Sequence, residues 1–138
     1  MARSCGSSLT RDVSVLRIVT TPSVQGVRWD DYPVEQVHPL IGRQMVHTET
    51  MTVARIMLAK GAVVPRHQHD NEQVSTLLEG RLRFVLGDEE RLVSPGETLT
   101  IPSQLPHEVE ALEPSVVLDV FSPVRDDWVR GDDAYLRG

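Results

Sequence analysis

Apolar residues in this chain fall in short runs that Gly, Pro and Asp interrupt at close intervals, with no long stripe of helical period. From Met51 onward the runs are "MTVARIMLAKG", "VSTLLEG", "RLRFVLGDEE", "RLVSPGE", "TLTIPSQLPH", "EVEAL" and "SVVLDVFSP". The first reads as strand or short helix. Its Thr, Val and Ile content and the stop at Gly61 favour strand. Leu82, Phe84 and Leu86 share one face of an extended chain, the alternation of a half-buried strand. Gly87-Asp88 predicts a hairpin turn and Pro95-Gly96 another. Strands and turns at this spacing predict an all-β sandwich or barrel, with no place for a long central helix.

The two ends differ from this middle. Residues 1–12 are polar and predict a flexible tail, after which "VSVLRIVT" (13–20) is a strand-like run, so one domain is expected over 13–138. The stretch "TPSVQGVRWDDYPVEQVHPLIGR" that follows is punctuated by Pro and Gly. At the other end Ser122 is placed to cap a helix, with Pro123 at its first position and Asp126 and Asp127 in its first turn. A short C-terminal helix is therefore expected.

Composition narrows the classes. At 138 residues, 40% hydrophobic and 25% charged, the chain suits one folded domain and not a disordered one. A net charge of -6 without a Lys/Arg cluster opposes nucleic acid as a partner. No apolar run approaches the roughly 20 residues of a membrane span, and "MARSCGSSLTRD" leads into no apolar signal core, so a cytoplasmic protein is expected. Cys5 is the single cysteine and excludes an internal disulfide.

The chemistry concentrates in "GAVVPRHQHDNEQ", residues 61–73. His67 and His69 are two apart, so in a strand their rings point the same way. Gln73 brings an amide oxygen after a turn at Asp70-Asn71, and His107 arrives from a separate strand edge. Glu72 competes with Gln73, but by parity it faces the opposite side. Three imidazoles and one oxygen suit one divalent transition metal per chain, with nickel, zinc, iron and manganese all compatible. Neutral ligands leave the full charge on such an ion, which favours anionic substrates and lacks the carboxylate of the common iron oxygenase triad. His38 and His47 have no such spacing and are expected to be ordinary residues, with a place near a pocket mouth the alternative for His47.

Gly61, His67, His69, position 73 and Gly80 match the first cupin motif, G-x5-H-x-H-x3-E-x6-G, with Gln73 in place of its glutamate. Gly96, Pro102 and His107 match the second, G-x5-P-x-G-x2-H-x3-N, while Gln104 replaces its second glycine and Ala111 its asparagine. The chain thus resembles the cupins, which implies a jelly-roll barrel. "GAVVPRHQH", "NEQ" and "DVFSPVRDDWVRGDDAYLRG" further resemble the small cupins related to the pectin degradation protein KdgF, from about Trp29 onward. That resemblance implies ketonisation of 4,5-unsaturated monouronates, the products of pectin and alginate lyases, to 5-keto-4-deoxyuronates.

The resemblance carries the family's pocket residues onto Asp119, Phe121 and Arg125: a proton donor or acceptor, a shaper of the sugar pocket and a carboxylate clamp. Each has a structural alternative, as a hydrogen-bonded strand acid, a core aromatic and a solvated charge. Arg55, in "TVARIML", either faces the cavity as a further substrate contact or lies outside it. The other functional classes are a metal-dependent oxygenase or lyase on another small molecule, and a sugar-binding module without turnover. Small cupins commonly pair, often by exchanging an N-terminal strand, and "VSVLRIVT" is positioned for that, so a homodimer is expected.

Overall fold

The computed structural model describes residues 23–138. A 3₁₀ turn at Trp29–Asp31 precedes ten strands: β1 (Glu35–His38), β2 (Ile41–His47), β3 (Thr52–Leu58), β4 (Val63–His67), β5 (Glu72–Glu79), β6 (Leu82–Leu86), β7 (Glu89–Val93), β8 (Thr98–Ile101), β9 (His107–Ala111) and β10 (Ser115–Ser122). Two one-turn helices follow, α1 (Asp126–Val129) and α2 (Ala134–Arg137). Every strand pairing is antiparallel, giving a four-stranded sheet β4-β9-β6-β7 and a six-stranded sheet β1-β2-β3-β10-β5-β8 in a jelly roll. No described helix is long and apolar enough to cross a membrane.

Alternation decides which residues meet inside. Along β10 the buried positions are Ser115, Val117, Asp119 and Phe121, and on the flanking strands Thr52, Ala54, Ile56 and Leu58 answer from β3 and Gln73, Ser75 and Leu77 from β5. Lower layers are therefore apolar, while polar groups collect towards one end. Leu82 and Phe84 seal the opposite sheet. Gly80, between β5 and β6, has φ +92°, and a Cβ there would run into Ser115 Oγ and the Pro114 carbonyl. The motif glycine thus serves a backbone crossing.

"MTVARIMLAKG" is strand β3, and the turns at Gly87-Asp88 and Pro95-Gly96 join β6 to β7 and β7 to β8. The segment punctuated by Pro and Gly supplies β1 and the start of β2. Its Pro39 sits with Leu40 in the two-residue connection between paired His38 and Ile41, so the proline marks a turn between strands. Residues 1–12, the strand expected at 13–20 and Cys5 lie outside the described residues.

The C-terminal helix starts later than its capping signals predict. Ser122 is still in the ladder opposite Glu72, its bond to Pro123 is cis, and Arg125 precedes the first helical turn. Ladder pairing outcompetes the local cap. The buried Asn71 side chain donates to the carbonyls of Pro123 and Val124, tying this segment to the start of β5.

A charged clasp then holds α2 against the sheet. Arg43 Nη2 donates to Asp133 Oδ2 at 2.8 Å and Glu35 Oε1 at 2.9 Å, and Arg137 bonds the same two acids. Burial pushes the Asp133 carboxyl up, but Arg137 and Arg43 outweigh it, so its pKa lies below the ordinary 3.8. Arg137 and Arg43 likewise hold Glu35 below 4.5. Depressed pKa values stabilise the fold at neutral pH, and that contribution is lost as pH falls through the folded-state values. Asp133→Asn should cost about 3 kcal/mol at pH 7. The deficit should shrink below about pH 4 in urea melts.

Candidate metal centre

β4 delivers His67 at its last residue, the loop beyond it delivers His69, and β9 delivers His107 at its first. The HxH pair is therefore not a pure strand feature, since extended pairing stops at His67. Its rings still converge. One ring nitrogen from each of His67, His69 and His107 lies within 4.8 Å of the others.

The second nitrogen of each ring explains which atom faces inward. His67 Nδ1 is 2.8 Å from the Pro65 carbonyl oxygen, His69 Nδ1 3.0 Å from that of Asn71, and His107 Nδ1 2.8 Å from that of Leu105. A carbonyl only accepts, so each Nδ1 carries the proton and each Nε2 keeps a lone pair. Burial is the main force on all three pKa values, and nearby Arg125 pushes the same way. His67 and His69 are lowered to about 4, and His107 is lowered too. At neutral pH the cluster is three neutral donors.

Gln73 completes it. Its Nε2 donates to Ser75 Oγ at 3.0 Å, and Ser75 donates to Asp119 Oδ1 at 2.6 Å. This relay turns the Gln73 oxygen towards His69 Nε2, 3.1 Å away. Two acceptors then face each other with no proton between them. His107 Nε2, moreover, is buried without a hydrogen-bond partner. A cation resolves both problems, so the donor set fits a divalent metal.

Gln104 supports the same corner. It adopts φ 68° where the motif has glycine, its N–H donates to the His69 carbonyl at 2.8 Å, and its amide bonds Gln68 and Asp70 on either side of His69. Side-chain bonds here offset a backbone conformation that glycine adopts freely. Glu72 is exposed and turned away, as parity requires.

A cavity runs inward from the histidines, lined by His67, Gln73, His107, Asp119, Phe121 and Arg125. Arg43, Trp128 and Tyr135 border it too, and sequence reasoning missed all three. Asp119 is buried, and burial raises its carboxyl to about 6 although Ser75, Gln73 and Arg125 oppose that rise. Phe121 meets His69 edge-on at 5.8 Å and Trp128 at 5.1 Å. Core and pocket are here one role. Arg55 lies on the outer face, bonded to Gln44 Oε1 at 3.1 Å, because Ala54 and Ile56 take the inner positions. His38 and His47 have local partners, the Leu40 amide and Thr52 Oγ1.

Arg125 is 1% exposed, its guanidinium lying 4.0 Å from the Trp128 ring centre and 4.7 Å from that of Phe121. Its Nε and Nη2 donate to Asp127, and Nη2 also to Tyr135 Oη at 2.9 Å. Tyr135 stacks on His67 with ring centres 4.5 Å apart. The C-terminal helices thus pack over the histidine cluster.

A jelly roll whose two motif segments bring three histidines and an amide together defines a class, and comparison agrees: a cupin-domain model matches residues 54–121. The chain belongs to the cupin family. Within it, the chain is 29% identical over 103 residues to the pectin degradation protein KdgF of Dickeya dadantii, spanning 72% of this chain and 94% of that one. The solved structure of KdgF from Halomonas sp. is similar at 35% identity and TM-score 0.69, covering 72% of this chain and 94% of that one. An RmlC-like cupin from Shewanella frigidimarina shares the fold at TM-score 0.73 and 23% identity, covering 79% and 99%.

Proposed function

We propose that the protein is a metal-dependent enzyme of pectin or alginate breakdown that ketonises 4,5-unsaturated monouronates to 5-keto-4-deoxyuronates. The likeness to KdgF supports the pathway. The observation that carries the chemistry is the buried relay Gln73–Ser75–Asp119, which sets a proton-exchanging acid beside the metal donors.

Ketonisation is an isomerisation, without net gain or loss of electrons. The anomeric hydroxyl loses its proton, the ring C1–O5 bond opens to an aldehyde, and C4 gains a proton as the C5 carbonyl forms. His67, His69, His107 and Gln73 would hold a divalent ion, which would supply Lewis-acid polarisation of a substrate oxygen. Asp119, raised to about 6, both takes up and releases a proton near neutral pH, which suits it to the C4 transfer. Phe121 and Trp128 give the sugar an apolar wall. Free space in the cavity is about 50 Å³, room for a few waters, so the side chains lining it must shift to admit a sugar acid.

The test is loss of the alkene absorbance of an unsaturated monouronate from a lyase digest, with the product identified by NMR. Acceleration over the spontaneous reaction is expected from metal-replete protein. If none of nickel, zinc, iron or manganese gives acceleration, the reading falls, and oxygen uptake and ligand-binding screens separate the oxygenase and non-catalytic alternatives. Gln73→Glu should retain the ion but raise KM for the anionic substrate about tenfold, the scale of one pK unit of charge interaction. A homodimer is part of the proposal, and a 15.4 kDa species in light scattering would remove it.

A further inference from the structure

Among the described residues, three buried side-chain polar atoms have no hydrogen-bond partner: His107 Nε2, Arg43 Nε and Arg43 Nη1. The first belongs to the metal centre. The other two belong to one guanidinium that is 2% exposed and borders the same cavity as His67, Gln73 and Asp119. Arg43 Nη2 gives its N–H groups to Glu35 and Asp133, so three of the five N–H bonds of the side chain remain unmatched. The Trp128 ring, its centre 4.8 Å from the guanidinium carbon, fixes the plane of the group. Pairing with Asp133 and Glu35 does not explain these extra donors, since a lysine ammonium would satisfy both acids.

Buried donors on a permanent cation call for an acceptor that carries negative charge, and the space beside them is small. A carboxylate meets both conditions. We propose that Arg43 is the carboxylate-recognising residue of the cavity, its free N–H groups receiving the acid group of an anionic ligand. The inference rests on the uronate reading above and alters one assignment within it. Arg125, expected from family resemblance to clamp the carboxylate, already has Nε and Nη2 engaged by Asp127 and Tyr135, and it ties the two C-terminal helices together.

The experiment compares D-galacturonate with its methyl ester as probes of zinc-loaded wild type and Arg43→Lys, by calorimetry or ligand-observed NMR. Lysine keeps the charge towards Asp133 and Glu35 and removes the free donors. Wild type should prefer the acid by at least about tenfold, the worth of a charge-assisted hydrogen bond. In Arg43→Lys that preference should collapse with zinc content unchanged. Retained preference in the variant, or none in wild type, overturns the proposal. Should Arg43→Lys fail to fold, Arg43→Gln combined with Asp133→Asn removes both charges and is read by the same standard. Turnover of unsaturated uronate, assayed in parallel, separates the two levels of inference. Turnover with an Arg43-independent acid preference sinks only the Arg43 assignment, while an Arg43-dependent preference without turnover sinks only the ketonising one.

Discussion

His67→Ala and His107→Ala should each purify folded but with metal content near zero, and neither should accelerate uronate ketonisation. Each imidazole removed takes away one neutral Nε2 donor whose orientation is set by a backbone carbonyl two residues away, a geometry that water cannot restore. Loss of one ligand from a four-donor set should weaken binding at least as much as loss of an outer-shell partner, which costs about 10 to 100-fold. The two sites differ in what they do to the fold. His107 is 1% exposed, and alanine there leaves a void beside the 4.3 Å contact with His67, so some loss of melting temperature is expected. His67 is half-buried, and its variant should melt close to metal-free wild type. Elemental analysis and thermal melts check both points. Stoichiometric metal in both variants would remove the proposed site.

The candidate donors His67, His69 and Gln73 were legible because their spacing is local. The interval from His67 to Gln73 places three of the candidate donors within one short segment, while His107 joins them only through the pairing of β9 with β4. What parity could not show is which end of the Gln73 amide faces the histidines. That depends on Ser75 accepting from the nitrogen, a bond visible only once β5 lies beside β10. Arg55 was ambiguous for a related reason, since β3 carries apolar residues on both faces and alternation alone gives no sign of which is inner. Trp128 and Tyr135 were invisible as site residues because the fold of the C-terminal segment over the sheets brings them to the cavity, and Arg43 because its inward position depends on the pairing of β2 with β3. Ser122 misled as a helix cap because a ladder partner, Glu72, lay far away in sequence.

Asp119→Asn should reduce kcat by about 10² to 10⁴-fold, the range of a lost general acid or base, while metal content holds. Asparagine keeps the size of the side chain and an oxygen to accept from Ser75, so Gln73 stays oriented and KM should change little. Stability provides an independent readout. Burial raises the Asp119 pKa from 3.8 to about 6, so between those values the folded protein holds a proton that the unfolded chain releases. Wild type therefore loses stability as pH rises through that window, by about 3 kcal/mol in total, and does not regain it above. Metal-free Asp119→Asn should escape that loss and be the more stable protein at pH 8, although it is catalytically impaired. A merely structural acid predicts the reverse, because its removal would destabilise the fold and leave turnover to the metal site. Full activity in Asp119→Asn would end the proton-transfer assignment. An inactive variant that gains stability at pH 8 would mean that Asp119 sits in β10 at a cost to the fold and for the sake of the reaction.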